Sequence, residues 1–520
     1  MKQFFIVIIL LCFLSCKKEA NSSVSFNNSE KFSNSSIINS TISAAASVTT
    51  LNVKDQGAKG DGVADDTKAI RNALIYAKAH GIANVYFPDG TYIIGETGDG
   101  GGIIKLVNGV GMTGNGPATC HIKLTTGRSN PNPLFYQDYV NDPSIGDLVI
   151  QGIDFNGMLG SQSFDASYQY GHAFKFFNGK NIEIKNCKFQ SFRGDGLVFG
   201  DVFENTLNVR IITNVSVHDC EFFSIYREGT LFCCVNGASF FNNNVHGDGY
   251  LVGGVDIERH SVNETVLNVS VYNNIFNFGD GYGPVERGGS KVRYRRAVTM
   301  GFFYSGYKNG VVDSLSGHHK VYNNKIYQGQ IDCFGIVNVS ISGNNIKNTY
   351  ENITGVNYVT TPAINVSDVT ATSGLINVSA DNNIIDSNMG GYGISFKNYT
   401  KVTANVNTIS NTRFDGVNIY NTSGYFYGNQ ISDVGTTAAP AAGVLINGNS
   451  SGLVVQNNTA INTLTGASRT VNYVVKIGSS NNGAVAPKLL DNKGKNMLAG
   501  IISQYYYQLN YILSSDNLAI

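Results

Sequence analysis

Five nine-residue segments of this chain carry one pattern, and that pattern leaves few folds open. They are NIEIKNCKF (181–189), NVSVHDCEF (214–222), NVSVYNNIF (268–276), NVSISGNNI (338–346) and NVSADNNII (377–385). Each alternates apolar and polar residues, breaks at an Asn-bearing turn and resumes with an apolar residue, which is the signature of strand, turn and strand. Weaker copies lie at 237–245, 319–326, 402–409, 424–431 and 452–461. A second strand recurs between them, as DGLVFG (195–200), EGTLFC (228–233), GGVDIE (253–258), YGISFK (392–397), DGVNIY (415–420) and AGVLIN (442–447). Copies spaced about 20–40 residues apart mark a solenoid whose coils differ in loop length. No helical period intervenes, so the economical architecture is an all-β, single-stranded, right-handed parallel β-helix.

The seventh place of the repeat holds Asn274, Asn344 and Asn383. Stacked turn amides there can hydrogen-bond from coil to coil and satisfy the turn backbone. Cys187 and Cys220 take the same place in two earlier coils. Cys12 and Cys16 apart, six of the eight cysteines remain, with no CxxC and no Cys/His metal spacing. Inert core thiols are expected, with a Cys187–Cys220 disulfide as the alternative, and no metal site is read.

A different kind of segment, Leu51 to Ile94, precedes the repeats. A short strand leads into a Gly/Asp loop, Gly57 to Gly62. A helix over 66–79 follows, with Asp65 or Asp66 as its cap, Gly81 as its stop, and Ile70, Ala73, Leu74 and Ala77 on one face. Then come a strand, the turn Pro88-Asp89-Gly90 and another strand. In this order Asp55, Gly57, Ala58, Gly60, Asp61, Gly62, Asp65, Asp66, Thr67, Ala69 and Ile70 fit the pattern D-x-G-A-x-G-D-G-x-x-D-D-T-x-A-I. Tyr86, Phe87, Pro88, Gly90, Thr91 and Tyr92 fit its second half. The composite resembles the opening of the pectate-lyase superfamily, which includes family 28-like glycoside hydrolases, rhamnogalacturonase- and epimerase-like proteins, and phage tailspike enzymes. The resemblance implies a β-helix acting on polysaccharide. It does not choose a reaction, since these families share the scaffold and differ in chemistry. The acidic residues of the opening are read as loop and cap chemistry, and the helix is expected to plug the first coil.

Composition narrows the partners. Charged residues are 14% of the chain and the net charge is zero, so nothing proposes a nucleic acid. The 59 glycines and the lack of Trp suit a large β structure rich in turns. Residues 1–16 read as an export signal: Lys2, an apolar run from Phe4 to Phe13, then Leu14-Ser15-Cys16. That ending resembles a lipobox, which implies a lipidated Cys16 and a protein anchored to the outer membrane or cell surface of the envelope. Residues 17–48 are a Ser/Asn-rich tether, 49–485 the β-helix and 486–520 a C-terminal cap. A monomer is expected.

A β-helix is filled by its own side chains, so chemistry must sit on an outer face. Candidates concentrate in 193–260. Aligning Gly196, Gly229 and Gly254 turns Leu197/Phe199, Thr230/Phe232 and Val255/Ile257 inward and Asp256 and Glu258 outward. Asp195 and Glu228 each precede the aligned glycine and should stack on adjacent coils. Crowded carboxylates repel and one keeps its proton, which suits an acid beside a base or nucleophile. Asp256, Glu258, Asp195 and Glu228 are therefore the catalytic candidates. Arg193, Arg227 and Arg259 are read as carboxylate partners or substrate clamps, with Tyr226, His246, Tyr250 and His260 as substrate-binding groups or as base and acid in β-elimination. Gly254-Val255-Asp256-Ile257-Glu258 is similar to the G-I-D-I-E-P segment of the superfamily, with Arg259 where Pro is usual. The Asn-Thr-Asp, Asp-Asp and Gly-His-Gly set of polygalacturonases is missing, Gly171-His172-Ala173 lacking its second Gly, and so are the calcium nonapeptides of mannuronan epimerases. The run Gly283 to Arg296 is read as a basic loop beside the site.

These residues point to an enzyme acting on the glycosidic bonds of an extracellular, uronate-bearing polysaccharide. Hydrolysis leads, and it requires no cofactor. A lyase or C5-epimerase is the alternative, and Ca2+ enters only there. A non-catalytic glycan-binding or adhesive solenoid is the reading from another class.

Overall fold

A computed structural model of the chain describes residues 50–95, 102–126, 132–138, 140–161, 170–200, 210–247, 253–259, 264–278, 295–301, 307–308, 311–312, 316–348, 361–367, 375–387, 391–436, 438–463, 470–478, 487–504, 512–513 and 518–519. The export signal with Cys16, the tether, Tyr250, His260, Tyr505–Tyr507 and the basic run short of Arg295 lie outside the described residues.

Among the described residues the chain winds through three long sheets of 17, 16 and 14 strands. One coil visits each in turn. Gly179–Lys185 lies in the first sheet, Lys188–Gln190 in the second and Leu197–Phe199 in the third. The next coil repeats this with Ile212–His218, Glu221–Phe223 and Glu228–Phe232, each strand pairing in parallel with its predecessor. This is the parallel β-helix expected from the repeats.

The corner between the first two strands explains the Asn signature. Its first residue sits in the left-handed region, as Asn273, Asn323 and Asn382 do at φ of 57°, 56° and 57°. Asn reaches that conformation more readily than most residues. The residue after it turns its amide inward. Asn344 Nδ2 donates to Asn383 Oδ1 at 3.0 Å and to the Val321 carbonyl at 2.9 Å, while Asn344 Oδ1 accepts from Asn324 Nδ2 at 2.9 Å. The same bonds link Asn243, Asn274, Asn324, Asn344, Asn383, Asn407, Asn429, Asn458 and Asn492. Cys187 and Cys220 head this column as buried free thiols, so the alternative disulfide is not formed. Stacked phenylalanines fill the interior at the same rise, with Phe176, Phe199 and Phe232 centred 5.0 and 5.3 Å apart.

The helix Thr67–Ala79 buries Ile70, Ala73, Leu74 and Ala77 and packs against the strands Thr50–Asn52, Asn84–Phe87 and Ile104–Lys105. Asp66 stands at its N-cap, yet its carboxylate turns back to accept the Lys59 and Gly60 amides at 2.6 and 3.1 Å. Asp65 accepts the Thr67 amide at 3.0 Å. Both acids thus serve the loop and the helix start. At the other end, Lys488–Leu490, Lys493–Lys495 and Gly500–Gln504 extend the three sheets. The segment 486–520, expected as a cap, therefore carries coil strands, because Asp491-Asn492 repeats the corner chemistry.

Replacing Asn344 by Leu should take the side-chain donor from the Val321 carbonyl and the acceptor from the backbone and side-chain N–H groups of Asn324. Buried polar groups left unpaired cost about 1–3 kcal/mol each, so the denaturation midpoint should fall clearly. An unchanged midpoint would show that the ladder contributes nothing to stability.

Candidate functional site

The third sheet brings the sequence candidates together by register. Leu197, Thr230 and Val255 align, as do Val198, Leu231 and Asp256. The next coils continue the outer column with Thr299, Asp332 and Asn365. Asp256 is half-buried on the outer face, and Glu228 opens the preceding strand beside it. Inward of them, Val255 and Ile257 join the core.

Asp195 is fully buried and fastens one coil to the next. Its Oδ1 accepts the Glu228 amide at 3.0 Å and lies 3.6 Å from Arg227 Nε. Asp415 holds the Ala442 amide in the same way at 2.7 Å, far from any acid cluster. Asp195 is thus a structural and positioning group, a correction to its reading as a catalytic acid. Burial opposes its charge, but Arg227 and the Glu228 amide hold its carboxyl below the usual range. His172 Nδ1 accepts the Asp195 amide at 2.9 Å, so its proton is on Nε2. Burial keeps this imidazole neutral, and its 3.2 Å approach to Asp195 Oδ2 is a contact without charge pairing.

Glu228 behaves oppositely. Burial, then the charge of Asp195, pushes its carboxyl up to about 8, although Arg227 and Arg296 pull the other way. Asp256 is also raised well above the carboxylate range, by burial and then by Glu258 and Glu228. Its Oδ1 is buried with no hydrogen-bond partner among the described residues. Glu228 and Asp256 therefore hold fewer charges than carboxyl groups at neutral pH.

Two arginines bracket this group, each backed by a buried aspartate. Arg227 leans on Asp195. Arg296 Nε lies 3.1 Å from Asp332 Oδ2, with its guanidinium 5.6 Å from the centre of the Phe334 ring. Asp332 also accepts from Gln330 Nε2 at 2.6 Å and Asn365 Nδ2 at 3.3 Å. The side chains of Arg227 and Arg296 keep 29% and 24% of their exposure, enough to meet a ligand. Arg296 and Asp332 were missed in the sequence. Arg296 was absorbed into the basic run, and Ile331-Asp332-Cys333 repeats Val255-Asp256-Ile257 after a spacing that the irregular loops disguise.

Other candidates fall elsewhere. Arg193 and Arg259 are buried at 5% and 2% exposure, so neither presents a substrate clamp. Glu258 is buried just past the strand end and acts on its neighbours through its charge. His246 belongs to the second sheet, where it meets Glu221 at 2.9 Å, because the chain turns a corner before Gly253. Tyr226 is half-buried and its amide bonds to the Phe192 carbonyl at 2.8 Å. Among the described residues no three His, Cys, Asp or Glu side chains are grouped to hold a metal ion.

A family described as rhamnogalacturonase A/epimerase, pectate lyase-like, matches residues 50–283. The tailspike protein of E. coli bacteriophage HK620, solved as a mutant with a pentasaccharide, superposes with a TM-score of 0.55 at 14% identity, over 87% of this chain and 78% of that one. That likeness shows the fold, a right-handed parallel β-helix. Sequence relatives point several ways. Plasmin and fibronectin-binding protein A of Streptococcus pneumoniae is 32% identical over 29% of this chain and 22% of its own length. Alginate lyase 7 of Azotobacter vinelandii is 32% identical over 40% of this chain and 24% of its own. Mannuronan C5-epimerase AlgE1 of the same organism is 28% identical over 38% and 14%. The chain thus spans under a quarter of the length of each of these relatives.

The raised Glu228 has a consequence for stability. Between its ordinary range and about 8, the folded state keeps a proton that the unfolded chain releases. Stability must then fall as pH rises through that window and level off above it. Glu228→Gln removes this dependence, so from pH 5 to 8 the variant should lose less stability than wild type. Parallel curves of unfolding midpoint against pH would place Glu228 in an ordinary environment.

Proposed function

We propose that this protein cleaves glycosidic bonds of an extracellular polysaccharide by acid–base catalysis on the outer face of the third sheet. The observation that carries the reading is the half-buried pair Glu228 and Asp256, held between Arg227 and Arg296 with a proton to share. Glu228 donates its proton to the departing glycosidic oxygen. A water molecule attacks the anomeric carbon, and Asp256, ionised at that moment, takes the water's proton. The leaving sugar carries the first proton away, and the proton taken by Asp256 passes back to Glu228, directly or by exchange with solvent, which restores the pair. Asp195 and Asp332 hold the two arginines in place without meeting substrate.

A second reading, β-elimination on a uronate, draws support from the similarity to an alginate lyase over 40% of this chain. Arg227 and Arg296 would then neutralise the sugar carboxylate, and Ca2+ could assist. The adhesive reading draws on the similarity to a plasmin- and fibronectin-binding protein. It also draws on an outward ladder on the first sheet, where His218, Phe241, Tyr272 and Tyr322 stack 4.7, 4.9 and 4.8 Å apart. The clustered acids favour catalysis over both a passive surface and a purely structural role.

Incubation with a polysaccharide panel, following reducing ends and the ultraviolet absorbance of unsaturated uronates, separates the three. New reducing ends without absorbance are expected. Glu228→Gln and Asp256→Asn should each fold and lose at least about a hundredfold in rate. Full activity in both variants would remove the site from the reaction.

A further inference from the structure

We propose that Gly253 is a positioning residue, whose missing side chain forms the slot through which Glu228 lays its carboxyl across one coil towards Arg296. Register puts Gly253 between the two, paired with Glu228 on one side and with Arg296 on the other. A Cβ built on Gly253 would stand 1.7 Å from Glu228 Oε2, 2.6 Å from its Cδ and 2.9 Å from Oε1. Those three nearest atoms are one carboxyl group and nothing else. The backbone itself does not ask for glycine there, since Gly253 is not in the left-handed region.

The neighbouring glycine shows the contrast. At Gly254 a Cβ would meet Phe276 Cε1 at 2.4 Å and the Ala297 carbonyl at 2.5 Å, which are core and backbone. Gly196 and Gly229 likewise face the carbonyls of Gly229 and Gly254 at 2.5 and 2.7 Å. The aligned glycines of 196, 229 and 254 serve coil packing. Gly253 has a different job, because what occupies its space is the far end of a flexible acid.

The placement has chemical consequences. Lying over Gly253, the Glu228 carboxyl is near enough for its charge to act on Asp256, and is sheltered enough to keep its proton. A methyl group at 253 would push the carboxyl outward into water, where it ionises in the ordinary range. The functional part of this inference rests on Glu228 as proton donor; the placement does not.

The test uses the full chain with 13C-labelled Glu carboxyls, titrated by NMR. One resonance should titrate near 8 and vanish in Glu228→Gln. In Gly253→Ala it should move down by about one pH unit or more, and the alkaline limb of the activity profile should move with it. An unmoved resonance in Gly253→Ala, or no high-titrating Glu at all, overturns the proposal. A second arm covers a poorly folded variant. In a Glu228→Ala background the three atoms nearest the added methyl are gone, so Gly253→Ala should cost much less stability there than in wild type. Equal costs in both backgrounds would also overturn it. If the titration shifts as expected and no polysaccharide is cleaved, the slot stands and the catalytic reading fails.

Discussion

Parallel pairing between successive coils is the constraint on which everything else in this structure depends. It fixes a rise of about 4.8 Å per coil and forces like positions into columns. Any group placed inside a column must therefore be satisfied by its own kind above and below. Phenylalanines stack on phenylalanines, and asparagine amides bond to asparagine amides. The outer face obeys the same rule with a different outcome. Carboxyls crowded at that spacing cannot all be ionised, so Asp195 is neutralised by Arg227 while Glu228 and Asp256 between them keep a proton. The acid chemistry of the site is a by-product of coil stacking, kept in check by two arginines.

Much of the fold was legible in the sequence because the coil corner makes a local demand. The residue in the left-handed region must be Asn, Asp or Gly in most coils, and the next must offer an amide to the ladder, which writes the same two letters again and again. Val406, at φ of 56°, is a departure that sequence alone would not permit; Asn407 still fills the ladder behind it. The C-terminal coils were obscured because Lys488–Leu490 and Lys493–Lys495 are short and charged, although Asp491-Asn492 carries the corner signal.

The site was legible only in part. Asp256 is legible because the glycine alignment gives the register, and register is local, whereas Glu228 nears it through the way its carboxyl lies over Gly253. Burial is not local. Arg193 and Arg259 read as surface cations, yet both lie inside. His246 is seven residues from Gly253 in the chain and faces another direction, since each coil visits three sheets. Asp332 joins the column only after irregular loops, so its spacing gave no warning, and Arg296 was hidden by the basic residues preceding it.

The central claim is that the reaction centre is the Glu228–Asp256 pair between its two arginines. A crystal structure of Glu228→Gln with an oligosaccharide that the wild type cleaves would address it most directly. The account predicts a glycosidic oxygen within hydrogen-bond distance of residue 228, with Arg227 or Arg296 touching an adjoining sugar. Oligosaccharide bound instead along His218, Phe241, Tyr272 and Tyr322 on the first sheet, with the acid pair unoccupied, would contradict it.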